Sequence, residues 1–303
     1  MESTTVQTGV TECRAPVYDL DWRVTLRRLI LTSVAFAAML CATSSVAFAQ
    51  VDFAGEWSIR MHEDQQWRGP GQQIGEFEGL PINAEARMKA ESWNASVYTM
   101  PERQCIPFPV DMAYTFGNMR IWKVKDTASQ ELIAFGQHNE WQAQERTIWM
   151  DGRPHPPEWA PHTWQGFSTG EWVGDMLKVT TTHLKMAYLE RNGVPRSDHA
   201  TVVEFYARHD DVLTIVTAVS DPVYLTEDFV RSRNYVAARN QELNAYPCRP
   251  TVEINRPDHT VPHYLPGKNL FLDAGLQFGI PKIALPGGAA TMYPEFANQL
   301  KQP

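Results

Sequence analysis

Between Met150 and Gly166 the chain reads MDGRPHPPEWAPHTWQG, which gathers two histidines, two tryptophans, four prolines, an arginine and an aspartate into one short stretch. Such a set can do chemistry in two ways. Histidine titrates near neutrality, so one held by a carboxylate moves protons at physiological pH. On that reading His162 is the general acid or base, His183 in TTTHL its partner, Asp151 the orienting carboxylate and Arg146 the group that stabilises developing negative charge. Indole rings offer the other route, since they give flat apolar walls to a small molecule while a few polar groups orient it. Trp149, Trp164, Trp122, Arg120, His155 and Arg146 are then the contacts, and the 150–166 loop is a lid. As plain structure, the same loop is an Asp151-Gly152 turn stiffened by Pro154, Pro156, Pro157 and Pro161.

Three neutral imidazoles, His155, His162 and His183, can also hold zinc and leave a position open for water. The spacing gives neither H-x-H nor H-E-x-x-H, and Pro262 spoils the helical turn that would bring His259 and His263 together. No metal is assigned. There is no G-x-S-x-G elbow and no glycine-rich phosphate loop, so serine-hydrolase and nucleotide chemistry lack a motif and no cofactor is assigned.

The elements that must position these residues alternate with a period of two. In GEWSIRMH (55–62) Trp57, Ile59 and Met61 share one face and Glu56, Ser58, Arg60 and His62 the other. Similar runs cover 119–126, 131–141, 146–150, 176–184, 200–209, 212–220 and 229–238, which makes eight strands. Most links are too short for a crossover helix: DTASQ, Gly174-Asp175 between GEWV and MLKV, and Asp210-Asp211. The pattern predicts a mainly β fold, an antiparallel meander closed into a lipocalin-like barrel of about eight to ten strands. NAEARMKAESW (83–93), with a capping Asn and an acidic first turn, predicts one short helix. The tail from about 248 to 303 holds eight prolines and reads as an extended strap. Strand parity sets a limit on the site: Arg146 and Ile148 share one face and Thr147 and Trp149 the other, so Arg146 and Trp149 line one cavity only if the strand bulges.

Leu29 to Ala49 follows Arg27-Arg28, is apolar, and ends Ala47-Phe48-Ala49, so residues 1–49 read as a signal peptide and 50–303 as a single barrel domain. Both parts of the chain matter for charge: with the leader removed, 23 basic and 31 acidic residues remain, a net charge of -8. A chain so acidic has no electrostatic reason to bind nucleic acid or an anionic membrane. No apolar run after Gln50 is long enough to span a bilayer. Cys105 and Cys248 survive processing, and in a periplasmic or secreted protein two cysteines read as one disulfide.

ERTIWMDGRPHPPEW, then HTWQGFSTGEWVGDML, TTTHL and RNGVPRSD, resemble a family of exported bacterial proteins, and the resemblance runs from FAGEW at residue 53 to VPHYLPG at 267. It implies export and carries no assigned catalytic residues. The reading from sequence is therefore an exported protein that binds a small apolar or aromatic molecule in a β-barrel cavity. Its alternatives are a cofactor-independent hydrolase, lyase or isomerase working through His162, His183 and Asp151, and an envelope protein whose loop docks a protein partner of unspecified kind.

Overall fold

The computed structural model describes residues 51–60, 75–77, 79–94, 105–113, 117–140, 144–189, 192–243, 263–269 and 271–301. Residues 1–50 lie outside the described residues, as do His62, Cys248 and His259.

Nine strands close into a barrel. They are β1 (Gly55–Ile59), β2 (Met119–Lys125), β3 (Leu132–Asn139), β4 (Gln144–Trp149), β5 (Phe167–Val173), β6 (Met176–Thr182), β9 (Thr201–His209), β10 (Val212–Ser220) and β11 (Phe229–Ala237). A two-stranded hairpin of β7 (Ala187–Tyr188) and β8 (Pro195–Arg196) interrupts the path from β6 to β9. All eight expected segments are strands, and the ninth, β5, holds the GEWV that the Gly174 turn hands to β6. β1 pairs with both β2 and β11, which closes the wall and leaves no sheet edge in these strands' order.

Local chemistry explains the corners. Asp126 accepts backbone N–H bonds from Ala128 (2.9 Å) and Ser129 (2.8 Å), which folds the β2–β3 turn. Gly174 sits at φ 64°, a left-handed conformation that costs glycine nothing in the tight β5–β6 hairpin. The expected helix is α1 (Ala84–Ser92), and the Asn83 side chain accepts from the Ala86 N–H at its start.

One step departs from the meander. β4 and β5 are parallel, and their ladder holds only two pairs, Ile148 with Ser168 and Trp149 with Thr169. Parallel neighbours cannot be joined by a hairpin, so the chain between them must double back. The proline-rich loop 150–166 is that return path. The tail also differs from expectation: from Ala274 it is wound into two 3₁₀ turns, Ala274–Phe278 and Gly288–Met292, and a short helix, Pro294–Gln299. It is not an extended strap there, because backbone bonds such as Gly79 N–H to Gly288 O (3.0 Å) fold it against the segment before α1.

Alternation fills the inside with two apolar cores. One packs Trp57, Phe135, Ile148, Leu213 and Tyr235 within the barrel; the other packs Val202 and Val219 against Ala86 and Ala90 of α1, with Leu184 and Leu189. Between them along β9 and β10 come Glu204 and Thr217, both buried. A polar layer thus lies between two apolar clusters along these strands. Among the described residues no helix is long and apolar enough to cross a membrane.

Candidate functional site

The site lies where the β4–β5 ladder stops. Glu145, Arg146 and Thr147 of β4 precede the first residue pair with β5, and residues 163–166 of the returning loop face them instead. An open cleft of about 500 Å³ occupies this break in the wall. Trp122, Trp149, Trp164, Phe167 and Pro107 supply its apolar lining, and Glu145, Arg146, Thr147, Thr163 and Gln165 its polar lining. Four residues singled out from the sequence, Trp122, Trp149, Trp164 and Arg146, therefore meet at one place. Parity still holds, since Arg146 points into the barrel while Trp149 points outward; they share a cleft because it sits at the edge of the wall and not inside it.

Each wall has a local cause. Trp122 reaches the cleft by lying across Gly136 of β3: a Cβ built on Gly136 would stand 2.1 Å from the Trp122 Cε2 atom. Only glycine leaves that space, and a glycine inside a strand marks such an approach. Gly136 is a residue that the sequence reading missed, although its position in ELIAFGQHNEW carried the signal. Trp149 is braced by Arg153, whose guanidinium stands 3.4 Å from the ring centroid. Arg153 is held in turn by Asp151, with bonds from Nε to both carboxylate oxygens at 2.9 and 3.0 Å, and this pairing keeps the Asp151 carboxyl below its usual range. Lys185 stands 5.3 Å over the Trp164 ring. Gln165 donates to the Phe108 carbonyl (2.6 Å) and so ties the loop to the Pro107 side.

Behind the cleft, Arg146 is committed to the barrel's polar layer. Its Nη1 and Nη2 donate to the two carboxylate oxygens of Glu204 at 2.7 and 3.1 Å, Nη2 also to the Tyr206 hydroxyl at 2.6 Å, and Nε to Gln137 Oε1 at 3.1 Å. Tyr206 donates to the same Gln137 oxygen at 2.9 Å. The side chains of Arg146 and Glu204 are 4% and 0% exposed, so this is a buried bidentate pair, the geometry that best offsets the desolvation of both charges.

The histidines gather elsewhere, at the far turn of the loop. His155 bonds Thr182 Oγ1 through Nδ1 and Thr169 Oγ1 through Nε2, both at 2.8 Å. Thr182 Oγ1 also lies 2.8 Å from His183 Nδ1, and His183 Nε2 donates to the Pro157 carbonyl at 3.0 Å. His162 donates from Nδ1 to the Leu184 carbonyl at 2.9 Å, with its ring 5.3 Å from that of His183. Carbonyls only accept, so these two bonds fix a proton on His162 Nδ1 and His183 Nε2. Burial lowers the His155 pKa, and the nearby His183 lowers it further, which favours the neutral ring. His183 takes a left-handed φ of 57°, uncommon outside glycine, and its two bonds offset that strain.

This arrangement does not assemble the expected acid/base set. Asp151 turns to Arg153, and among the described residues no hydrogen bond or ion pair joins it to His162 or His183. The histidines latch the loop to the ends of β5 and β6. His155 belongs to that latch and not to the cleft lining. Arg120 also stays outside the lining and pairs with Glu56 on the outer face. Across that face the ladder aligns Glu56, Arg120, His138 and Glu145 in one row, which ends at the cleft with His138 Nδ1 3.1 Å from Glu145 Oε1. Among the described residues no three of His, Cys, Asp and Glu converge as a metal site would need. Cys105 lies two residues before Pro107, and Cys248 lies outside the described residues.

No family model and no curated protein matches the chain. It is similar to a solved structure described as the crystal structure of wild-type fluorescent protein UnaG, at 10% identity, covering 61% of this chain and 97% of that one with a TM-score of 0.26. A superposition that loose adds nothing about ligand or activity.

Proposed function

We propose that the protein binds a small molecule with an apolar or aromatic face in the cleft at the β4–β5 break. The observation that carries this reading is the convergence of Trp122, Trp149 and Trp164, from two strands and the returning loop, around one space of about 500 Å³. Rings so placed supply stacking area at low entropic cost, and the polar lining supplies orientation. The cleft opens in the wall beside the barrel's apolar core and not in the barrel cavity expected from the sequence, so the wall is the proposed binding element. Export through the 1–49 leader, kinship with the exported family that the signature segments resemble, and a Cys105–Cys248 disulfide belong to the same proposal; the last is supported by the bonded state of Cys105.

The test is quenching of tryptophan fluorescence by 2-naphthol in the purified protein and in Trp164→Ala. Removing one of three walls is expected to weaken binding by about 2 kcal/mol, roughly thirtyfold in Kd. Equal affinity in the two proteins would remove the cleft from consideration.

A further inference from the structure

We infer that the ligand of this cleft carries a positive charge, an alkylated ammonium group attached to an apolar body. The inference rests on the small-molecule reading above and narrows its chemistry. Indole faces attract cations through the ring quadrupole, and trimethylated ammonium groups are held in this way by cages of aromatic rings. Two of the three tryptophans already hold one of the protein's own cations, Arg153 over Trp149 and Lys185 over Trp164. Trp122 is different. It is 38% exposed, its ring rests across Gly136, and no lysine or arginine of the described residues stands over it.

The formal charges of the lining point the same way. Arg146 is neutralised by the bidentate Glu204 carboxylate, and Arg153, just outside the lining, by Asp151. Lys185, also outside the lining, is held over the Trp164 face, and in the lining itself Glu145 remains; its side chain is 70% exposed, and its charged partner among the described residues is His138, which is a cation only when protonated. The cleft thus offers an open indole face and a carboxylate that lacks a permanent counter-charge. The chain's net charge of -8 favours a cation at long range as well. A ligand anion would meet Glu145 and would find the Arg146 guanidinium already saturated by Glu204, Tyr206 and Gln137.

The experiment compares choline with its neutral isostere 3,3-dimethylbutan-1-ol by calorimetric titration of the full protein, at low salt, alongside 2-naphthol. The expected result is choline binding at least about fivefold tighter than the isostere. Glu145→Gln should cut that preference to less than about twofold, and because Glu145 is on the surface the variant is expected to fold. Equal affinities for the two isosteres, with 2-naphthol still bound, would overturn the cationic class and leave the cleft standing. No binding of any of the three would overturn both readings.

Discussion

The two sides of β4 obey different rules. Its inward residues Arg146 and Ile148 are buried, the first in a closed set of charged hydrogen bonds and the second in the barrel core. Its outward residues Glu145, Thr147 and Trp149 line an open cleft. One strand of six residues therefore carries a structural seam on one face and a candidate binding wall on the other. Substitutions on the first face should cost stability, and those on the second should cost binding. A residue's chemical type does not tell which, since arginine and tryptophan occur on both sides of this wall.

The largest effect is expected in the seam. Glu204→Gln leaves the Arg146 guanidinium buried without its counter-charge, which should cost about 3–5 kcal/mol in urea unfolding. The pair replaced together, Arg146→Met with Glu204→Leu, should lose far less, because both desolvation penalties go at once. A single variant as stable as the parent would break the distinction between the two faces. Next in size, removing the proposed disulfide with Cys105→Ala should cost about 2–4 kcal/mol in the same assay. It should also weaken 2-naphthol binding, since Pro107 follows closely and forms one wall. Gly136→Val then sharpens the comparison from the other side. Its Cβ would displace the Trp122 ring, so affinity should fall about tenfold, roughly 1.4 kcal/mol, with a smaller change in the urea midpoint.

Much of the fold was readable because period-two alternation is plain in β4, β6, β9 and β10, as in MLKVTTT and VLTIVTAVS, and the turns between most strands are short. The parallel step was not readable. Alternation says which residues share a face but nothing about the direction of a neighbour, and a loop long enough for a hairpin excursion is also long enough to double back. The same blindness hid why Arg146 and Trp149 could meet, because parity describes a continuous wall and the cleft is a break in one. Asp151 was misassigned for a different reason: proximity in sequence to two histidines competes with Arg153 two residues away, and the near arginine wins. Gly136 carried a usable sign, a glycine in mid-strand, but its meaning depends on which ring lies over it.

The smallest effect concerns the latch, which belongs to neither face of β4 but holds the loop that forms the cleft's far wall. His155 has its pKa lowered in the folded protein, first by burial and then by His183. As pH falls past the ordinary histidine value near 6.5, the unfolded chain takes up a proton before the folded one does. The stabilisation from His155 is thus fully present above that value and is lost as pH falls through the lowered one. The loop should loosen in that window, read as lower protection from hydrogen exchange, relative to the intrinsic rate at each pH, at the Ala160 and Thr163 amides, which bond to Pro157 O and His183 O. Thr182→Val, which removes the hydroxyl joining His155 to His183, should speed exchange at neutral pH and flatten the pH dependence, at a cost of about 1 kcal/mol. If the protection of these amides in the parent does not change between neutral and acid pH, the histidines do not hold the loop. The cleft's far wall would then depend on Gln165 and the Thr163 backbone bonds alone.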